Sequence, residues 1–166
     1  MRPTDMDAIA PLVHRLVARW VHGGTTPLEP PNVELLDRLE RDPTLRLPAD
    51  LRAYFGITGG LPDFAWDEEF IAWWSAHRIV PLATLHPKLE EAAGFFVVGD
   101  MLMECTHYAI QLGHASRWPH GTVIEGADAE FCVRAPSWTE FVRRRLEEPD
   151  RITVWEKGAP VDGPCR

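Results

Sequence analysis

Long apolar runs are missing from this chain of 166 residues. None approaches the ~20 residues that a helix needs to cross a bilayer, so no membrane span is expected. The N-terminus, MRPTDMD, lacks the apolar stretch of a secretory signal. Cysteine is scarce and odd in number, with Cys105, Cys132 and Cys165 far apart. With no export signal, reduced thiols in a cytoplasmic protein are the expectation. Glycine doublets occur at Gly23-Gly24 and Gly59-Gly60, but neither phosphate-cradling glycine pattern appears. Turns explain both doublets, and no nucleotide or other cofactor is expected. Basic residues are also short, 17 Lys and Arg against 25 Asp and Glu, for a net charge of −8. The shortage is local: residues 61–130 carry three basic groups (Arg78, Lys88, Arg117) and eleven acidic ones, whereas residues 1–60 sum to −1 and 131–166 to +1. Such a surface repels nucleic acid and anionic membrane and attracts a basic partner. Solubility alone would also account for an acidic surface.

What is present fits one domain of ordinary size, with 45% hydrophobic and 25% charged residues. Asp5 to His22 places Ile9, Leu12, Val13, Leu16, Val17, Trp20 and Val21 on one helical stripe. A proline-bearing connector, TTPLEPP, follows, and a second helix runs from the N-cap Asn32 to about Asp42. LPADLRAYFGITGG, Leu47 to Gly60, reads as a short helix with Pro48 in its first turn and a tight glycine turn after it. Asp63 to Trp74, DFAWDEEFIAWW, reads as helix or irregular loop, since a strand would split its tryptophans across two faces. Arg78 to Leu82 reads as an edge strand because of Pro81, and Leu85 to Ala93 as a short helical connector. Gly94 to Ala135 holds four strands, Phe95–Val98, Thr106–Leu112, Thr122–Glu125 and Glu130–Arg134, too closely spaced for crossover helices and so antiparallel. Ser137 and Glu140 then form a capping box on a last helix, SWTEFVRRRLEE. Residues 149–166 hold a strand-like ITVW in a Gly/Pro-rich tail, read as loose. The fold class expected is α+β. It is a single domain over 1–148, with a central, mostly antiparallel sheet of about five or six strands and N- and C-terminal helices packed on it.

The order of these elements resembles the SUKH superfamily of fungal cell-wall-synthesis regulators and bacterial immunity proteins. The matching stretches are LPADLRAYFGITGG, RIVPL, FFVVGD, HYAIQL, TVI and RAPSWTEFVRRRL, which span about Leu47 to Leu146. The tryptophan-rich segment 64–74 and the two extra helices over residues 1–46 depart from the pattern. The resemblance implies helices on a mixed or antiparallel sheet and no enzymatic activity. In bacteria it implies direct neutralisation of a cognate toxin, often a nuclease. The family has no invariant catalytic set, so no active-site residues carry over.

Four constellations carry chemistry. Cys105 and His107, with His114 and His120 beyond, are poorly spaced for zinc, and Cys132 suits a small core position. The same Cys105 and His107 beside Asp100 or Glu104 could form a thiolate–imidazole pair, but neighbours on one hairpin seldom line a cleft. The glycine doublets are turns. The fourth, a protein-binding surface, is the reading adopted. Seven tryptophans is many for this length, and tryptophan is enriched at interface hot spots. Trp20 and Trp138 lie on helical apolar faces and read as core. Trp66, Trp73, Trp74 and Trp118 sit among acids, and the expected contact set is those four with Asp67, Glu68, Glu69, Asp100 and Glu104. Apolar burial would supply affinity and the carboxylates steering. The expected function is an immunity protein that blocks a toxin with a basic surface. A scaffold or regulatory adaptor is the alternative of the same class, and a Cys/His-dependent thiol or metal hydrolase that of another. The hairpins at 99–105 and 113–121 are the next surfaces to consider.

Overall fold

The first apolar stripe folds into α1, Thr4–His22, in a computed structural model that describes residues 4–89, 93–113, 118–127 and 130–148. Ile9, Val13, Leu16 and Trp20 are buried along it at steps of three and four. α2, Val33–Leu39, is capped by the Asn32 side chain, which accepts from the Leu35 N–H at 3.0 Å. It stops short of Asp42 because Arg41 N–H turns back to the Arg38 carbonyl. α3, Ala49–Phe55, starts after Pro48 and buries Leu51, Tyr54 and Phe55. The turn after it needs glycine: Gly60 has φ +84°, and a Cβ there would stand 2.6 Å from the Trp73 carbonyl oxygen.

Six strands follow: β1 (Ile71–Trp73), β2 (Val80–Pro81), β3 (Phe95–Met101), β4 (Thr106–Gln111), β5 (Val123–Ala127) and β6 (Glu130–Ala135). They form one sheet in the order β1-β3-β4-β5-β6, with β2 also paired to β3, and every pairing is antiparallel. This is the expected α+β architecture. Three local readings are corrected. Asp63 to Trp74 is neither helix nor loop throughout, because its end pairs with β3 as β1, Ile71 opposite Met101 and Trp73 opposite Gly99. The edge strand at 78–82 shrinks to two residues, since Ala76–Arg78 winds into a 3₁₀ turn before it. The helical connector expected over 85–93 is not found in its described part: α4 is Leu82–Leu85, residues 86–89 form a turn, and residues 90–92 lie outside those described. The tail 149–166, including ITVW, also lies outside them.

Alternation along the strands gives the sheet two buried faces. On one, Trp73, Val98, Tyr108, Ile110 and Val123 pack against α1, α3 and α5 (Trp138–Glu147). There Ser137 Oγ caps α5, accepting from the Glu140 N–H at 3.2 Å, but the expected box stays half-made because the Glu140 carboxylate accepts from Arg143 and Arg144 instead. On the other, Ala72, Trp74, Val97, Ala109, Ile124 and Phe131 pack under Leu82 and Leu89, flanked by the half-buried Trp66 and Trp118. No helix among the described residues is long and apolar enough to cross a membrane. Cys105 is a free, exposed thiol, whereas Cys132 is disulfide-bonded, which corrects the expectation of reduced thiols at Cys132.

Candidate functional site

Pairing of β1 with β3 and β3 with β4 sets Ala72, Asp100 and His107 side by side on the second sheet face. Trp74, two residues past Ala72, points the same way, and its Nε1 donates to Asp100 Oδ2 at 2.5 Å. Asp100 Oδ1 accepts from the Glu104 N–H at 3.0 Å. That bond helps close an unusual β3–β4 turn, in which Leu102, Met103 and Glu104 have φ of 53°, 56° and 68°. Left-handed backbone costs about 1–3 kcal/mol for each such residue and collects at functional sites. Among the described residues the other non-glycine residues with positive φ are Phe64 (62°) and Phe70 (59°), and Leu102 N–H donates to the Phe70 carbonyl at 3.0 Å. The conformation holds apolar groups in water, with Phe64 86% and Met103 74% exposed and Phe70 and Leu102 also exposed.

Beside Phe64 and Met103 lies a cavity of about 320 Å³, lined by those two with Trp66, Ala72, Arg78, Glu104 and the buried Asp100. The Arg78 guanidinium lies 4.0 Å from the Trp74 ring centroid. It faces Asp63 Oδ1 at 3.4 Å and Glu104 Oε1 at 3.8 Å. Behind Trp74, His107 Nδ1 meets His86 Nε2 at 2.9 Å. Burial, and then His86, hold the His107 imidazole below its usual range. The unfolded chain therefore takes up this proton near pH 6.5 while the folded chain resists it. Stability is complete above that pH and should decline as pH falls from about 6.5 towards the lower folded value. Urea unfolding at pH 8 and 5.5 measures the decline, and His107→Asn should flatten it; an unchanged slope in that variant would assign the effect to another group.

The structure places the expected contact residues unequally. Trp66, Asp100 and Glu104 come together at the cavity. Trp73 and Trp74 are only 2% and 4% exposed, which removes their indoles from any contact surface. Asp67 is spent inside its own loop: Oδ1 accepts from the Glu69 and Ile71 N–H groups, and Oδ2 accepts from Trp73 Nε1 at 2.7 Å. Glu69 lies between Arg19, at 2.5 Å, and Arg145, at 3.4 Å. Burial nonetheless pushes its carboxyl up. Glu68 is exposed beside Arg19, and Trp118 stands edge-on to Phe131 at 5.7 Å, elsewhere on the second face. Phe64, Phe70, Leu102, Met103 and Arg78 are missing from the expected set. The signal for two of them was a β3–β4 turn written MLME, with no Gly or Asn where hairpins favour them.

The Cys105 and His107 reading separates in space, with Cys105 exposed in the turn and His107 buried against His86 and Trp74. His120 Nε2 sits 2.7 Å from the Arg46 carbonyl oxygen, and His114 lies outside the described residues. Among the described residues no three His, Cys, Asp or Glu side chains group in a way that could hold a metal ion. Compared with known proteins, the chain matches no family model and no curated relative.

Proposed function

We propose that this chain is a non-enzymatic, SUKH-like protein-binding domain, an immunity protein that neutralises a toxin with a basic surface by covering it. The carrying observation is the rim of Phe64, Phe70, Leu102 and Met103, exposed on left-handed backbone and bordered by Asp63 and Glu104. Strain retained to keep apolar groups in water is a feature that packing does not explain and binding does. The carboxylates supply the match to a basic partner. We place the protein in the cytoplasm, a location that the Cys132 disulfide counts against. A regulatory adaptor would use the same rim. The hydrolase reading is less favoured, because His86 rather than Cys105 meets His107.

The test is co-expression with toxin domains encoded beside this chain, with survival as the readout. Wild type should protect, and Phe64→Gly/Met103→Gly should not. Both side chains are mostly exposed, and glycine accepts positive φ freely. The double variant should therefore hold wild-type stability to within about 1 kcal/mol. A clear drop in Tm would make these residues structural. Protection by both proteins would move the surface to the hairpin at 113–121. No protection by wild type from any neighbouring toxin would end the immunity reading and leave the adaptor.

A further inference from the structure

We infer that the cavity beside Phe64 and Met103 seats an arginine side chain carried by the partner, a reading that rests on the protein-binding function proposed above. Its volume, about 320 Å³, is at the small end of ligand cavities and suits one long side chain better than a cofactor. Its lining sets aromatic and apolar side chains beside two carboxylates, the combination that holds a planar cation by stacking and charge together.

The molecule already shows how such walls hold a guanidinium. Arg78 stacks on the Trp74 ring at 4.0 Å, between Asp63 and Glu104. Both of its ion pairs are long, 3.4 and 3.8 Å, and both carboxylates are about two-thirds exposed. Exposed pairs of this kind hold weakly and exchange partners easily. Asp63 and Glu104 thus share one resident cation, with the Asp100 carboxylate also lining the cavity, and the local charge stays negative. Asp100 has one protein donor on each oxygen, Trp74 Nε1 and the Glu104 N–H, so each oxygen keeps a lone pair. Trp66 Nε1 is buried and has no acceptor among the described residues. The Trp66 ring lines the cavity, so its indole N–H reports on what enters there. Lysine fits less well, because its compact, strongly hydrated ammonium gains little from the flat faces of Phe64 and Trp66.

The experiment titrates N-acetyl-Gly-Arg-Gly-amide into the ¹⁵N-labelled protein, alongside the same peptide with lysine or with uncharged citrulline. A single side chain should bind at about millimolar strength. Shifts should centre on the Trp66 indole N–H and the Met103 and Glu104 amides. The lysine peptide should bind several-fold more weakly and citrulline not measurably. Glu104→Gln should weaken the arginine peptide about two- to fivefold, the loss of one exposed charge pair. Arg78→Ala should strengthen it by removing the resident cation, with an intact spectrum as the check on folding. Shifts scattered over the acidic surface, or arginine and lysine binding alike, would overturn the seat and leave only a diffuse acidic field. Toxin protection is read separately. Protection by wild type with no peptide seat keeps the binding function and discards this inference, whereas a peptide seat without protection keeps this inference and ends only the immunity reading.

Discussion

Replacing Trp73 by alanine should remove about 3–5 kcal/mol of stability, the range for emptying a large aromatic from a packed core. The ring is at the centre of the helix-facing core. Its centroid lies 5.7 Å from Trp20, 5.8 Å from Trp138, 5.8 Å from Phe141 and 6.4 Å from Tyr54. Those rings come from α1, α5 and α3, so one cavity would loosen every helix that covers this face. The loss has a second component, since Trp73 Nε1 donates to Asp67 Oδ2 at 2.7 Å. Without it a carboxylate that organises the 67–71 loop is left short of a donor. Domains of this size are stable by only about 5–15 kcal/mol, so the variant should be partly unfolded at 37 °C. Urea unfolding followed by tryptophan fluorescence measures the change. A loss under 1 kcal/mol would mean that the ring is not a core element. Phe64→Ala belongs beside it as the contrast, with the same chemistry deleted from an 86% exposed position and a change within about 0.5 kcal/mol.

That contrast marks the limit of what the sequence could say about the site. Helix α1 was legible because seven apolar residues repeat at helical steps, and α5 because Ser137 and Glu140 are three apart. The four closely spaced strands were legible from punctuation and β-branched content. In DFAWDEEFIAWW both a helical and an extended reading bury aromatic rings, and only pairing with β3 decides between them. Extended pairing sends Trp73 to the helices and Trp74 to the opposite face, so a cluster that looks like an exposed anchor becomes two separate core residues. The acids misled for a related reason. Asp67 and Glu69 are adjacent in composition to Glu68 but are used internally, by backbone N–H groups and by Arg19 and Arg145. Positive φ at Phe64 and Phe70 has no residue-level signature, because neither is the glycine or asparagine that advertises it, and at Leu102 to Glu104 the one hint is a hairpin turn that lacks both.

Removing one partner of the Glu125–Arg134 pair should cost about 3–5 kcal/mol, because the other charge is left buried and alone. Glu125 is fully buried on β5. Its Oε2 accepts from Arg134 Nε of β6 at 2.8 Å, and its Oε1 accepts from Thr106 Oγ1 of β4 at 2.9 Å. One carboxylate therefore ties three adjacent strands on the face that meets α5, since Glu125 lies opposite Tyr108, which packs 5.0 Å from Phe141. Arg134→Met should lower the urea midpoint sharply. The double change Glu125→Leu/Arg134→Met should recover much of the loss, since apolar groups of similar volume can replace a buried pair without penalty. The remaining deficit would be the unpaired Thr106 hydroxyl, about 1–3 kcal/mol. A double variant as unstable as the single one would show that the pair contributes more than the removal of a stranded charge. The pair lies on the opposite sheet face from Asp100 and the cavity, so the double variant should still take the arginine peptide with unchanged affinity wherever it is folded. Loss of that binding in a folded double variant would show that the two faces of the sheet are coupled.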